Sequence, residues 1–86
     1  MTIEVIRSQS FDSDRLKIAK NLVNQQSIYS SEVAEIMKTF SFESSRLEFA
    51  KYAYSRTIDN QNYVKVYDTF QFKSSISELL DYIDSL

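Results

Sequence analysis

The side chains able to do chemistry here are carboxylates, serines, lysines and tyrosines, because the chain has no His and no Cys. Their absence removes the commonest general base, the commonest activated nucleophile and the usual zinc ligands. With no Gly either, neither a phosphate-binding loop nor a dinucleotide fingerprint can form. Carboxylate pairs remain. Glu32 and Glu35 share a helix face, as do Asp81 and Asp84, and two such pairs brought together with a third acid could clamp a cation. Each pair also fits a solvated face near a helix end. The stretch DNQN at 59–62 resembles the start of a calcium loop, but it has no Gly at the sixth position and Phe70 stands where the twelfth-position Glu belongs. Ser44 or Ser45 with Lys51 would be a Ser–Lys dyad, although a serine at a helix start is explained by capping. The chain is therefore expected to have no catalytic residues, no metal and no cofactor.

Composition bounds the remaining classes. Eighty-six residues make one small domain, and 43% apolar with 26% charged residues is a globular mixture. Ten Lys and Arg scattered among twelve Asp and Glu form no basic face, so nucleic acid is not an expected partner. No apolar run reaches the length of a membrane span, and no apolar stretch follows basic residues at the start as in a signal peptide. The lack of Gly and Pro leaves only Asn, Asp and Ser to punctuate helices and disfavours tight hairpins. The expected fold is all-α.

The elements that would position these side chains are written twice. FDSDRLKIAK begins at Phe11 and FESSRLEFAK at Phe42, with six of ten positions identical. A third phrase, FKSSIS, begins at Phe72 and carries Ile76 and Ser77 in place of Arg-Leu. Ser13, Ser44 and Ser74 are the expected helix caps, and Ser75 with Glu78 has the spacing of a capping box. Val33, Ile36, Met37 and Phe40 form one helical apolar stripe; Tyr63, Val66, Tyr67 and Phe70 form a second; Ile76, Leu79, Leu80 and Ile83 form a third. Asp59 is a candidate N-cap for the fourth helix, and Asn24, Asn60 or Asn62 could take the left-handed turn that Gly usually takes.

These signals give about five short helices in stacked helix pairs with a repeat of about 30 residues. Residues 1–9 are read as a truncated first helix, 10–40 and 41–70 as two repeats, and 71–86 as a C-terminal half repeat. TIEVI alone would equally suit a short strand. Phe11, Phe40, Phe42, Phe70 and Phe72 fall at the joints and are expected to plug the seams. On that reading Phe42→Ala would cost about 3–5 kcal/mol. Arg15 and Arg46 sit in first helical turns, where the helix dipole disfavours a cation. Either a carboxylate or a preceding carbonyl end holds them, or they bind an anion.

SFDSDRLKIAK (10–20), FSFESSRLEFAK (40–51) and IDNQNYVKVYDTFQF (58–72), in this order, resemble the small helical family called domain of unknown function 4476. The resemblance runs from residue 10 to about residue 84. It implies a module within larger, often exported bacterial proteins, and hence an exported or periplasmic location. It supplies no catalytic residues.

Tyrosine is in excess in the second repeat. Tyr52 and Tyr54 lie two apart on one helix, so both cannot face the core, and they are the candidate interaction surface. The function expected is a non-catalytic interaction module. Its partner would be another protein or another part of the parent chain, without membrane insertion, and a monomer is favoured. The alternatives are a structural spacer or self-associating domain, and a site built only from carboxylates.

Overall fold

The computed structural model describes residues 3–86, and all of its regular elements there are helical. α1 is Ile3–Arg7, α2 Asp12–Gln25, α3 Ser30–Met37 and α4 Glu43–Tyr54. A 3-10 turn at Asn60–Asn62 leads into α5, Val64–Tyr67, and α6 is Lys73–Asp84. That is one helix more than expected. The opening segment is helix rather than strand, with Ile6 buried; the part of that expectation on residues 1 and 2 lies outside the described residues.

Helices of like position pack together. α2 touches α4 and α4 touches α6, forming one layer, while α1 touches α3 and α3 touches α5, forming the other. α1 also rests on α2, and α3 on α4. The core between the layers is filled by Ile6, Val23, Ile36, Met37, Phe49, Tyr63, Val66 and Leu79.

The helix starts differ from the sequence reading. The N-cap residues are Phe11, Phe42 and Phe72, each in extended backbone and none making a side-chain cap. Ser13, Ser44 and Ser74 lie inside the first turn instead. Ser75 gives its hydroxyl to Glu43 rather than to a capping box. The starts of α4 and α6 are fixed by acids from a neighbouring helix, described below, so no local cap is needed at those two.

The ends also differ. No residue has positive φ among the described residues, so none of Asn24, Asn60 and Asn62 takes a left-handed turn. The chain turns instead on right-handed residues such as Lys38, Ser55 and Asp68. Threonines cover freed carbonyls: Thr39 Oγ1 donates to Ile36 O at 2.6 Å, and Thr69 Oγ1 to Val66 O at 2.7 Å. Thr57 Oγ1 does the same to Ala53 O at 2.7 Å. This is how a chain without Gly ends its helices.

The loops before α3 and before the 3-10 turn run side by side. Ile28 and Thr57 form a parallel bridge, with Ile58 N donating to Ile28 O at 2.8 Å. Asp59 makes no cap on its own helix. It accepts from Ser30 N at 2.6 Å, so it caps α3 across the junction.

The phenylalanine reading is partly overturned. Phe40 is buried and Phe70 half-buried, but Phe11, Phe42 and Phe72 are 68%, 66% and 58% exposed. An extended N-cap residue lies outside the helical register that faces the core, so its ring is thrown outward. The seam is filled instead by Phe49, whose ring centroid lies 5.8 Å from that of Phe40. Leu80, read as part of the third stripe, is also exposed.

Phe49→Ala should therefore destabilise the domain by about 3–5 kcal/mol, the cost of emptying a buried aromatic site. Phe42→Ala should cost less than about 1 kcal/mol, as for a surface change. Paired denaturant titrations measure both, and equal losses would contradict this placement.

Candidate interaction surfaces

The geometry is organised by two acids at the same point of the repeated phrase, one residue after Phe. Asp12 accepts from the backbone N–H of Ser41 at 2.9 Å and of Phe42 at 2.9 Å. Glu43 accepts from Gln71 N at 3.0 Å, Phe72 N at 3.1 Å and the Ser75 hydroxyl at 2.7 Å. Each acid thus grips the chain as it enters the next helix of its layer.

Each acid is backed by an arginine. Arg15 donates to Asp12 at 2.8 Å, to Gln9 O at 2.9 Å and to the Ser41 hydroxyl at 3.1 Å. Arg46 donates to Glu43 at 3.3 Å and to Phe40 O at 2.7 Å. Both structural expectations for these arginines hold at once, a carboxylate and the carbonyl end behind the preceding helix. These bonds commit both guanidinium groups inside the domain.

Burial alone would raise the carboxyl of Asp12, but the N–H groups of Ser41 and Phe42, the Ser45 hydroxyl and Arg15 outweigh it and hold it below its usual value. Glu43 is likewise lowered: burial opposes, and Ser75, Gln71, Phe72 and Arg46 prevail. Asp59 is lowered chiefly by the Ser30 N–H. Tyr63 is pushed far up by burial. Its hydroxyl donates to Ala50 O at 2.6 Å.

A second set of contacts crosses the same junctions. Lys20 of α2 pairs with Glu48 of α4 at 2.6 Å, and Lys51 of α4 pairs with Glu78 of α6 at 3.2 Å. Lys20 also stands 5.0 Å from the Tyr52 ring centroid, and Lys51 stands 5.7 Å from that of Tyr82. These side chains line an outer groove of about 460 Å³.

That places the expected tyrosine surface. Tyr52 is half-buried, with Arg56 4.1 Å over its ring and its hydroxyl accepting from Asn24 at 2.7 Å. Tyr54 is half-buried and meets Tyr63 edge-on at 5.0 Å. Neither ring stands free, because a twelve-residue helix packed on both sides leaves little room for an unpartnered aromatic. The exposed phenylalanines are Phe11, Phe42 and Phe72, at the three helix starts of one layer; Tyr29 and Tyr82 are exposed as well.

The candidate chemical groups do not converge. Glu32 bonds the Tyr29 N–H at 3.0 Å and Glu35 pairs with Lys38 at 3.1 Å. Asp81 and Asp84 are exposed on α6. Lys51 lines the outer groove together with Ser44 but bonds Glu78, and neither Ser44 nor Ser45 is hydrogen-bonded to it. Among the described residues no group of three acids could hold a metal ion, and no helix is long and apolar enough to cross a membrane.

The acid clasp was not recognised in the sequence, although its signal is there. The residue after the repeated Phe is Asp12, then Glu43, then Lys73 in the last copy, where no further helix follows among the described residues.

The acids' depressed values make the fold acid-labile. Their stabilisation is fully present above their ordinary values, near pH 4, and is lost as pH falls through the lower folded values. Asp12→Asn and Glu43→Gln should each cost about 1–3 kcal/mol at pH 7, by replacing charge-assisted hydrogen bonds at the helix entrances with weaker neutral ones. Each should also flatten the loss of stability below about pH 4. Urea titrations across pH measure this; a variant with the wild-type acid profile would show that its carboxylate does not act as described.

A family model described as "Domain of unknown function (DUF4476)" matches residues 2–83. Nothing among curated proteins and nothing among solved structures matches the chain.

Proposed function

The chain belongs to the domain of unknown function 4476 family, and on that premise we propose that it is a non-catalytic module that docks a protein partner along the edge carrying Phe11, Phe42 and Phe72. The observation behind this reading is the exposure of those three residues. Phe11, Phe42 and Phe72 recur at matching helix starts of one layer, and each ring stays mostly in solvent. Folding gains little from them. Exposed aromatics are the residue type that protein interfaces use most. The absence of His and Cys supports a role without catalysis.

The second reading is a structural or self-associating spacer. It is favoured by the uncovered ends of the helix layers, where Val5 and Leu80 are exposed.

A variant with Phe11, Phe42 and Phe72 all changed to Ser tests the first reading. It should keep its melting temperature within a few degrees, since all three rings are exposed and contribute little to the core. In affinity capture from the host's own extract, it should lose partners that the wild type retains. Identical captured proteins from both baits would refute the docking edge.

A further inference from the structure

The first-layer helices α2, α4 and α6 meet at two junctions that use the same positions. An acid at the start of one helix, Asp12 or Glu43, meets a serine of the next, Ser45 or Ser75. A lysine later in the helix, Lys20 or Lys51, meets a glutamate of the next, Glu48 or Glu78. Phe11, Phe42 and Phe72 set the register that relates the three helices.

The same register can be followed to the two ends. On α6, Lys73 stands at the position of the acids and Asp81 at the position of the lysines. On α2, Asp14 stands at the position of the serines and Lys17 at the position of the glutamates. All four are exposed, and none takes part in an ion pair among the described residues. If one more junction were made, Lys73 would face Asp14 and Asp81 would face Lys17. Both pairs are of opposite sign, and both reverse the polarity that the internal junctions use. The two ends match each other.

Leu80 is 40% exposed where Ala19 and Ala50, its equivalents, are fully buried. The opposite end carries a groove of about 410 Å³ where Val5, Ile18 and Leu22 are bordered by Asn21, Gln25 and Gln26.

We propose that the domain stacks head-to-tail on a second copy of itself, with the α6 end of one copy seated on the α1–α2 end of the next. Asp81 pairs with Lys17 and Lys73 with Asp14 across the junction, and the exposed Leu80 faces the groove beside α1 and α2. The contact is heterologous, so it propagates along a row of copies rather than closing as a two-fold dimer. It uses the ends of the stack and not the phenylalanine edge, so it stands whether or not that edge binds a partner.

The test is sedimentation velocity on the 86-residue chain over a concentration series, at low and at high salt. The wild type should sediment faster as concentration rises, and less so at high salt, because exposed pairs are screened. Lys17→Glu and Asp81→Lys should each weaken association by about tenfold or more, since each places like charges face to face. The double variant should recover it, as should an equal mixture of the two single variants. Neither change should lower the melting temperature, which serves as the folding control. A wild type that stays monomeric up to millimolar concentration would overturn the proposal. So would association that ignores the single reversals, or single losses that neither the double variant nor the mixture restores. The triple Phe→Ser variant should associate like the wild type; its failure to do so would move the contact to the phenylalanine edge and overturn the end-to-end junction.

Discussion

The fold depends on a carboxylate accepting backbone N–H groups at the entrance to the next helix. Asp12 does this for the segment entering α4 and Glu43 for the segment entering α6. Helix entrances carry donors that the helix itself cannot satisfy. Most proteins satisfy them locally with a capping side chain. Here the acceptor comes from about thirty residues earlier in the chain, so one contact orients a helix start and joins two units. Because the acceptor is charged and mostly covered, its hydrogen bonds are of the stronger kind. Arg15 and Arg46 then keep the buried charge from standing alone, and by bonding Gln9 O and Phe40 O they fasten the preceding chain to the same point.

Once the starts are held from outside, other features of the sequence become consistent. The N-cap side chain is released from capping, so phenylalanine can occupy it. The serines after it are free for other duties, as Ser75 shows by bonding Glu43. The helix ends need no glycine, because threonine hydroxyls take the last carbonyls and the turns stay right-handed. Asp59 repeats the cross-junction arrangement in the other layer, gripping Ser30 N from the following loop. At α4 and α6 a carboxylate from the preceding helix takes the place of a local cap, while α3 is held both by Asp59 and by its own Glu32, which accepts from the Tyr29 N–H.

This explains which parts of the structure could be read from the sequence. The all-α class, the helix positions and the stripe through Ile36, Met37 and Val66 were legible, since periodicity reports burial directly. Arginine's role was legible in outline, because a cation in a first turn demands a partner. The caps were misassigned because capping rules assume that a helix start is satisfied nearby. The phenylalanines were misassigned because hydrophobicity suggests burial without fixing direction, and one residue's shift out of the helix turned three rings toward solvent. Tyr52 and Tyr54 were rightly placed on different faces, but both faces are covered: one by Lys20 and Arg56, the other by Tyr63.

The polarity of the clasp also limits how such layers can be extended. Both junctions of the first layer send an acid forward to meet backbone donors, and a lysine forward to meet a glutamate. A chain that extended this pattern indefinitely would expose an acid and a lysine at its leading end. This one exposes Lys73 and Asp81 there, and Asp14 and Lys17 at the other end. Reversal at both ends makes each end a poor mimic of an internal junction. An end that presents Lys73 in place of an acid cannot clasp Ser10 and Phe11 of another copy as Asp12 clasps Ser41 and Phe42, so any contact between ends must run on side-chain charge and apolar surface. Such a contact is screened by salt and lacks the buried carboxylate, so it is weaker than the junctions within the chain. The domain thus folds through one kind of junction, and the end-to-end contact proposed above is of a weaker kind.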